Sequence, residues 1–328
     1  MNKIKNRYEL AKSYLCKKVR VSGFPRVIGI ELTNRCNLKC IMCARQQMSR
    51  NLGDMDFELF KKIIDEGKEY LEFVWLQDLG EPFLHKDIFS MIEYCREKGI
   101  RTGISTNATI MNQDIIDGIA VSGLDYLMFG FDGASKQTYE RVRLGACYEE
   151  VVNNIKKFIK TKLSKDLKTF LVIQCIYMQE TEREIESFRN LWNIKGVDAL
   201  RIRQITYSAD KAAARFINRK RCWPCFWPWS NPHIKWDGVV VPCCQDINAD
   251  YALGNLNQFS LKELWNNEKM QELRKLLIFG KYEHSLICKK CNMFQPTILQ
   301  VLSSSFIDQF ILNKLIPYME SLICKMRY

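Results

Sequence analysis

The sequence predicts an α/β fold, built as a parallel sheet of six βα units with a smaller domain appended. Two observations predict it. Between Val27 and Tyr207, short β-branched or aromatic runs alternate with longer amphipathic stretches. After Tyr207 the character changes to RCWPCFWPWSNPH, which packs Trp, Pro and Cys together. Six units suit an incomplete barrel better than a closed eightfold one, and either arrangement puts chemistry at the C-terminal ends of the strands.

The elements follow in order. Residues 1–26 hold eight Lys or Arg against one Glu and read as a solvated basic leader. The core, residues 27–208, offers strands VIGIEL from Val27, FVWLQDL from Phe73, RTGIST from Arg101, YLMFGF from Tyr126, TFLVIQCIYM from Thr169 and ALRIRQITY from Ala199. Helices fill the gaps. The one from Phe57, behind Asp54 and Asp56 as caps, repeats apolar residues at Phe57, Phe60, Ile63, Ile64, Tyr70 and Leu71. The appended domain, residues 209–295, contains a hairpin in HIKWDGVVVPCC that turns at Asp237-Gly238, one helix in SLKELWNNEKMQELRKLL, and a CKKC pair. Residues 296–328 are expected to form an amphipathic helical tail, kinked or broken at Pro317, that packs on the protein rather than on a membrane surface.

At 328 residues and 47% hydrophobic the chain is long enough for a real core. Its 14 cysteines exceed what packing requires, and the start, MNKIKNRYELAKSYLCKK, has no apolar signal segment. No uncharged run reaches membrane-spanning length, since Asp308 and Lys314 interrupt the tail. A cytoplasmic location is expected. The net charge of +12 suits nucleic acid, an anionic surface or an acidic partner, and no nucleic-acid motif follows the basic leader.

Cys36, Cys40 and Cys43, spaced Cys-x3-Cys-x2-Cys, lie in the loop after the first strand. Structural zinc takes four ligands, and the nearest His is His85. A cubane cluster on three thiolates instead leaves one iron open for another ligand. A second set, Cys225, Cys243, Cys288 and Cys291, supplies four thiolates, enough for one 4Fe–4S cluster or one zinc ion; spacing does not choose between them.

The segment TNRCNLKCIMC resembles the signature of the radical S-adenosylmethionine (radical SAM) superfamily. That resemblance implies a partial (β/α)6 TIM-like barrel, a SAM-binding 4Fe–4S cluster on Cys36, Cys40 and Cys43, and SAM itself. Gly80, Glu81 and Pro82 stand where the family has its GGE motif, with Leu79 in place of the first Gly. Ser105, Thr106 and Asn107 resemble its ribose and carboxylate contacts, and FDG puts Asp132 at the fourth strand end, facing the barrel mouth. Met42, between the second and third thiolates, joins the implied cofactor contacts.

The stretch from Cys225 through LGNL to CKKC resembles the family's SPASM or twitch extension, which carries auxiliary iron–sulfur clusters. Beyond CKKC only Cys324 remains, so the resemblance implies one auxiliary cluster, twitch-like, on the four-thiolate set. Cys222 competes with Cys225 as first ligand; Pro228 and Trp229 after Cys225 favour the latter. Cys244 reads as a packed cysteine or a redox participant, and Cys16, Cys95, Cys147, Cys175 and Cys324 read as structural.

The implied chemistry is SAM cleavage, hydrogen abstraction and a two-electron oxidation of a small polyol, aminocyclitol or sugar. The four-cysteine arrangement resembles that of aminocyclitol-oxidising members. Arg201, Arg203 and Gln204 are candidate substrate contacts, with Arg203 a candidate base. An acidic electron donor, a flavodoxin or ferredoxin, fits the basic surface. The competing readings are maturation of a ribosomally made peptide, and a non-catalytic iron–sulfur or zinc scaffold.

Overall fold

The computed structural model describes residues 3–204, 223–289, 291, 311, 314 and 315. Six parallel strands carry the core: β1 (Val27–Ile30), β2 (Phe73–Trp75), β3 (Arg101–Thr106), β4 (Tyr126–Gly130), β5 (Phe170–Tyr177) and β6 (Ala199–Gln204). They pair in chain order, each with the next, as successive βα crossovers require. The layer of helices comprises α2 (Phe57–Gly67), α3 (Ile88–Glu97), α4 (Gln113–Ser122), α5 (Lys136–Val142), α6 (Tyr148–Ser164) and α7 (Ile185–Trp192), preceded by α1 (Lys3–Leu15).

Strand alternation sorts the side chains into two packed layers. Ile28, Val74, Ile104, Leu127, Phe129 and Ile173 join the main core against the helices. Val27, Phe73, Tyr126, Met128, Val172 and Ala199 form a separate inner cluster, with Trp75 and Phe170 against it. Trp75 meets Tyr126 edge-on at 5.3 Å, and Tyr126 stacks on Phe170 at 5.7 Å. The barrel interior thus has an aromatic floor, below the strand ends where the site lies.

Several expectations are revised. The sheet does not stop at the appended domain: β7 (His233–Ile234) pairs parallel with β1, and β8 (Val239–Val241) and β9 (Gly254–Asn255) continue it to nine strands among the described residues. The hairpin does turn at Asp237-Gly238. The basic leader is not a solvated arm but helix α1, which buries Asn6, Leu10, Ala11, Ser13 and Tyr14. The single helix expected from Ser260 is two, α8 (Leu261–Trp265) and α9 (Glu268–Ile278). Ser260 and Glu263 close a capping box on α8, and the Asn267 side chain accepts from Met270 N to start α9 afresh. Asp56, not Asp54, caps α2, accepting from Glu58 N and Leu59 N.

Of the tail only Ile311, Lys314 and Leu315 are described, with Lys314 Nζ 5.2 Å from the Phe170 ring centre. Cys222, Cys324 and the boundary near residue 208 lie outside the described residues, as does the Gln204 side chain. No described helix is long and apolar enough to cross a membrane.

Candidate active site

The loop after β1 is bound along its length by its neighbours. Asn34 Nδ2 donates to Asn51 O at 2.8 Å, and Gly53 N donates to Asn34 Oδ1 at 2.9 Å. Lys39 N and Ile41 N donate to Leu144 O and Val142 O, both at 3.0 Å, which docks the loop beside the end of α5. Cys36, Cys40 and Cys43 are half-buried here, with Met42 half-buried between the last two. Burial pushes the Cys36 thiol up and takes Cys40 to about 11, and the charges of the neighbouring thiolates add to both. A cationic group is what makes several thiolates tolerable at close quarters.

The second and third strand ends lock onto this loop. Gly80 is required by close approach: a Cβ there would stand 2.1 Å from Thr33 O and 2.9 Å from Arg35 O. Glu81 N donates to Arg35 O at 2.8 Å. The Glu81 carboxylate, 2% exposed, accepts from Thr106 Oγ1 at 2.7 Å, Asn107 N at 2.8 Å and Phe83 N at 3.3 Å. Three donors leave about one acceptor position for a ligand's ammonium. Burial nevertheless holds the Glu81 pKa above the ordinary carboxylate value. Pro82 opens the short 3-10 turn that Glu81 caps. Asn107 Nδ2 donates to Asn37 Oδ1 at 2.9 Å and lies 3.9 Å from Cys36 Sγ. Ser105 N donates to the Gln77 side chain, and the Ser105 side chain stays half-buried.

Asp132 departs from expectation. It is fully buried rather than open at the barrel mouth, with Oδ2 2.7 Å from Arg143 Nη2 and Oδ1 accepting from Ile176 N at 2.6 Å. A buried guanidinium needs such a partner, so the carboxylate is committed to positioning Arg143. Arg143 in turn acts on Cys40, drawing its pKa down against burial. Gly130 makes room for it, since a Cβ there would meet Arg143 Nη2 at 2.2 Å. Neither motif nor spacing marks Arg143, because its role depends on contacts made after folding.

A buried charge network at the mouth also escaped the sequence reading. Glu31 Oε1 pairs with Arg50 Nη2 at 2.7 Å, and Lys235 Nζ pairs with Asp78 Oδ2 at 2.6 Å. Burial works against the Lys235 charge, yet Asp78 and Glu31 outweigh it and hold its pKa up. Next to the network, both ring nitrogens of buried His233 lack a hydrogen-bond partner.

On the appended side, one cavity is lined by Cys225, Cys243, Cys288 and Cys291, together with Cys244. Burial, then the charges of Cys244, Cys225 and Cys288, push the Cys243 thiol far up. Among the described residues, neither thiolate set brings three sulfurs within 4.8 Å of one another. Thiolates around one zinc ion stand about 3.8 Å apart, given Zn–S bonds of about 2.3 Å. Burial takes the Cys244 thiol to about 11; Asp78 adds to the rise, and Arg203 and Lys235 oppose it. Cys95 and Cys175 are buried, whereas Cys16 is exposed and Cys147 half-buried.

Comparison with known proteins accords with this geometry. A family model of the radical SAM superfamily matches residues 30–191, and one of an iron-sulfur cluster-binding domain, SPASM, matches residues 225–292. The chain is 26% identical over 292 residues to the tungsten-containing aldehyde ferredoxin oxidoreductase cofactor-modifying protein of Pyrococcus furiosus, covering 74% of this chain and 82% of that protein. It is 21% identical over 271 residues to the S-adenosyl-L-methionine-dependent 2-deoxy-scyllo-inosamine dehydrogenase of Niallia circulans, covering 81% and 92%. A crystal structure of BtrN in complex with AdoMet and 2-DOIA superposes with a TM-score of 0.58 at 18% identity, covering 82% of this chain and 94% of that one, a likeness of fold.

Proposed function

The chain belongs to the radical SAM superfamily and carries a SPASM domain, and from that premise we propose that it oxidises a small polyol, aminocyclitol or sugar by two electrons. A 4Fe–4S cluster with SAM, and auxiliary iron–sulfur, are the cofactors of this family. When bound, they supply a 5′-deoxyadenosyl radical that takes hydrogen from a substrate carbon, and an electron acceptor beside it.

In this reading Cys36, Cys40 and Cys43 hold the SAM cluster, and Cys225, Cys243, Cys288 and Cys291 hold one auxiliary cluster. Glu81 offers its remaining acceptor position to the SAM ammonium. Asn107, with Ser105, Thr106 and the Met42 segment, lines the cofactor. Arg143, fixed by Asp132, places positive charge beside Cys40. Arg203 and Cys244 face the substrate, with Arg203 a candidate proton acceptor. The basic surface suits an acidic flavodoxin or ferredoxin as donor.

The observation that carries the reading is the cavity that Cys225, Cys243, Cys288 and Cys291 line together with Cys244. A ligand set completed by the protein leaves no open iron for substrate, which suits outer-sphere electron acceptance. The relative that oxidises an aminocyclitol substrate adds support through its near-complete coverage.

The test is anaerobic reconstitution. About eight irons per chain are expected, falling to about four in Cys243→Ala, which keeps SAM cleavage but loses ketone formation, whereas Cys40→Ala loses both. Zinc in the second site, or 5′-deoxyadenosine formed only with a peptide substrate, would overturn the reading.

A further inference from the structure

The strip that follows the third cluster thiolate is gripped from the appended domain. From Cys43 the chain passes through a 3-10 turn, Ala44–Gln47, to exposed Ser49. Ser49 N donates to Asn248 Oδ1 at 2.8 Å, and Asn248 Nδ2 donates to Gln47 O at 3.4 Å. One residue on, Arg50 Nε donates to Ile247 O at 2.7 Å, while its Nη2 is tied to buried Glu31 at 2.7 Å. Trp236 extends the clasp, its Nε1 donating to Asn51 O at 3.2 Å. A carboxamide both accepts and donates, so Asn248 does for this strip what a neighbouring strand would do. Asn248 lies only a short stretch of chain beyond Cys243 and Cys244.

We propose that Asn248 and Arg50 are positioning residues through which the appended domain sets the conformation of the loop bearing Cys36, Cys40 and Cys43. The two cysteine loops are then joined by a few residues of chain on either side of one carboxamide. Ordering of the auxiliary site at Cys243 is felt at the SAM cluster without any contact between the clusters. This inference rests on the reading that the three cysteines hold that cluster.

Hydrogen exchange on the full chain tests it without reference to activity. In Asn248→Ala the amides of residues 44–50 exchange about fivefold or more faster, as expected for the loss of backbone partners of ordinary strength. Amides of α9 do not change. Asn248→Asp keeps the acceptor for Ser49 N and restores protection there, and Asn257→Ala, a surface asparagine of the same domain, has no effect. In reconstituted protein, the paramagnetic resonance signal of the reduced SAM cluster shifts in Asn248→Ala at unchanged iron content. Unchanged exchange at 44–50, exchange that rises equally in α9, or an unaltered cluster signal would each overturn the proposal. Failure of the underlying reading shows separately, as wild-type protein that gives no such signal.

Discussion

His233 sits against Trp227, with ring centres 5.9 Å apart, and its Nδ1 is 3.9 Å from Asp78, too far for a hydrogen bond. Burial drives its pKa down to about 4; Asp78 raises it and Lys235 lowers it. The unfolded chain takes up this proton as the pH falls through about 6.5, the folded protein only near 4. Between those values the unfolded state holds more protons, so folding stability falls as the pH falls. The loss from this one group is about 3 kcal/mol by pH 4. Denaturation series at pH 7 and pH 4 on the wild type and His233→Gln check this: the variant, lacking the titration, should lose about 3 kcal/mol less. Parallel losses would assign the acid sensitivity elsewhere. At this scale the sequence revealed the thiolates, because ligand spacing is local and chemical. It did not reveal Arg143, Lys235 or Asp78, whose pairings form only on folding, nor that Asp132 is a buried counter-ion.

Among the elements, the strand-end loops carry the site, and their contact is set by backbone rather than side chains. Gly80 brings the turn after β2 against Thr33 O, and every near atom a Cβ would meet there is backbone. Gly80→Ala must therefore push the turn and the cluster loop apart, an overpacking that costs about 1–3 kcal/mol. The Glu81 N to Arg35 O bond goes with it, and SAM affinity should fall about tenfold, the equivalent of roughly 1.4 kcal/mol. Equilibrium dialysis of SAM against reconstituted protein reads this directly, and an unchanged affinity would mean the two loops move independently. The six core strands were legible from β-branched and aromatic runs between amphipathic helices. The first two end short of their sequence runs, at Val27–Ile30 and Phe73–Trp75, because pairing stops where the loops turn to the site. The break between α8 and α9 was missed because apolar periodicity runs on through Asn266 and Asn267, while the capping chemistry of Asn267 outweighs it.

At the scale of the whole molecule, the amino-terminal segment ties the barrel to the appended domain. Arg7 makes two bonds to Glu72, at 2.7 and 2.9 Å, and Glu72 also binds Arg26 at 2.7 Å, which anchors α1 at the base of β2. Beyond the helix, Trp229 Nε1 donates to Lys18 O, Trp265 Nε1 to Gly23 O and Arg274 Nη1 to Val19 O. This was illegible in sequence, where a run of lysines resembles a solvated arm and the apolar face that overrides it is short. Tyr14 is the keystone: fully buried, it donates to Pro224 O at 2.7 Å and packs edge-on against Phe226 and Trp229 at 5.1 and 5.6 Å. Tyr14→Ala should cost about 3–5 kcal/mol, the range for emptying a large aromatic site. Tyr14→Phe should cost about 1 kcal/mol, the worth of the one hydrogen bond. Because α1 joins both halves, the Ala variant should shift a single cooperative transition, seen alike by tryptophan fluorescence and by backbone circular dichroism. If fluorescence moved and circular dichroism did not, the appended domain would be unfolding alone, and α1 would belong to it rather than to the whole.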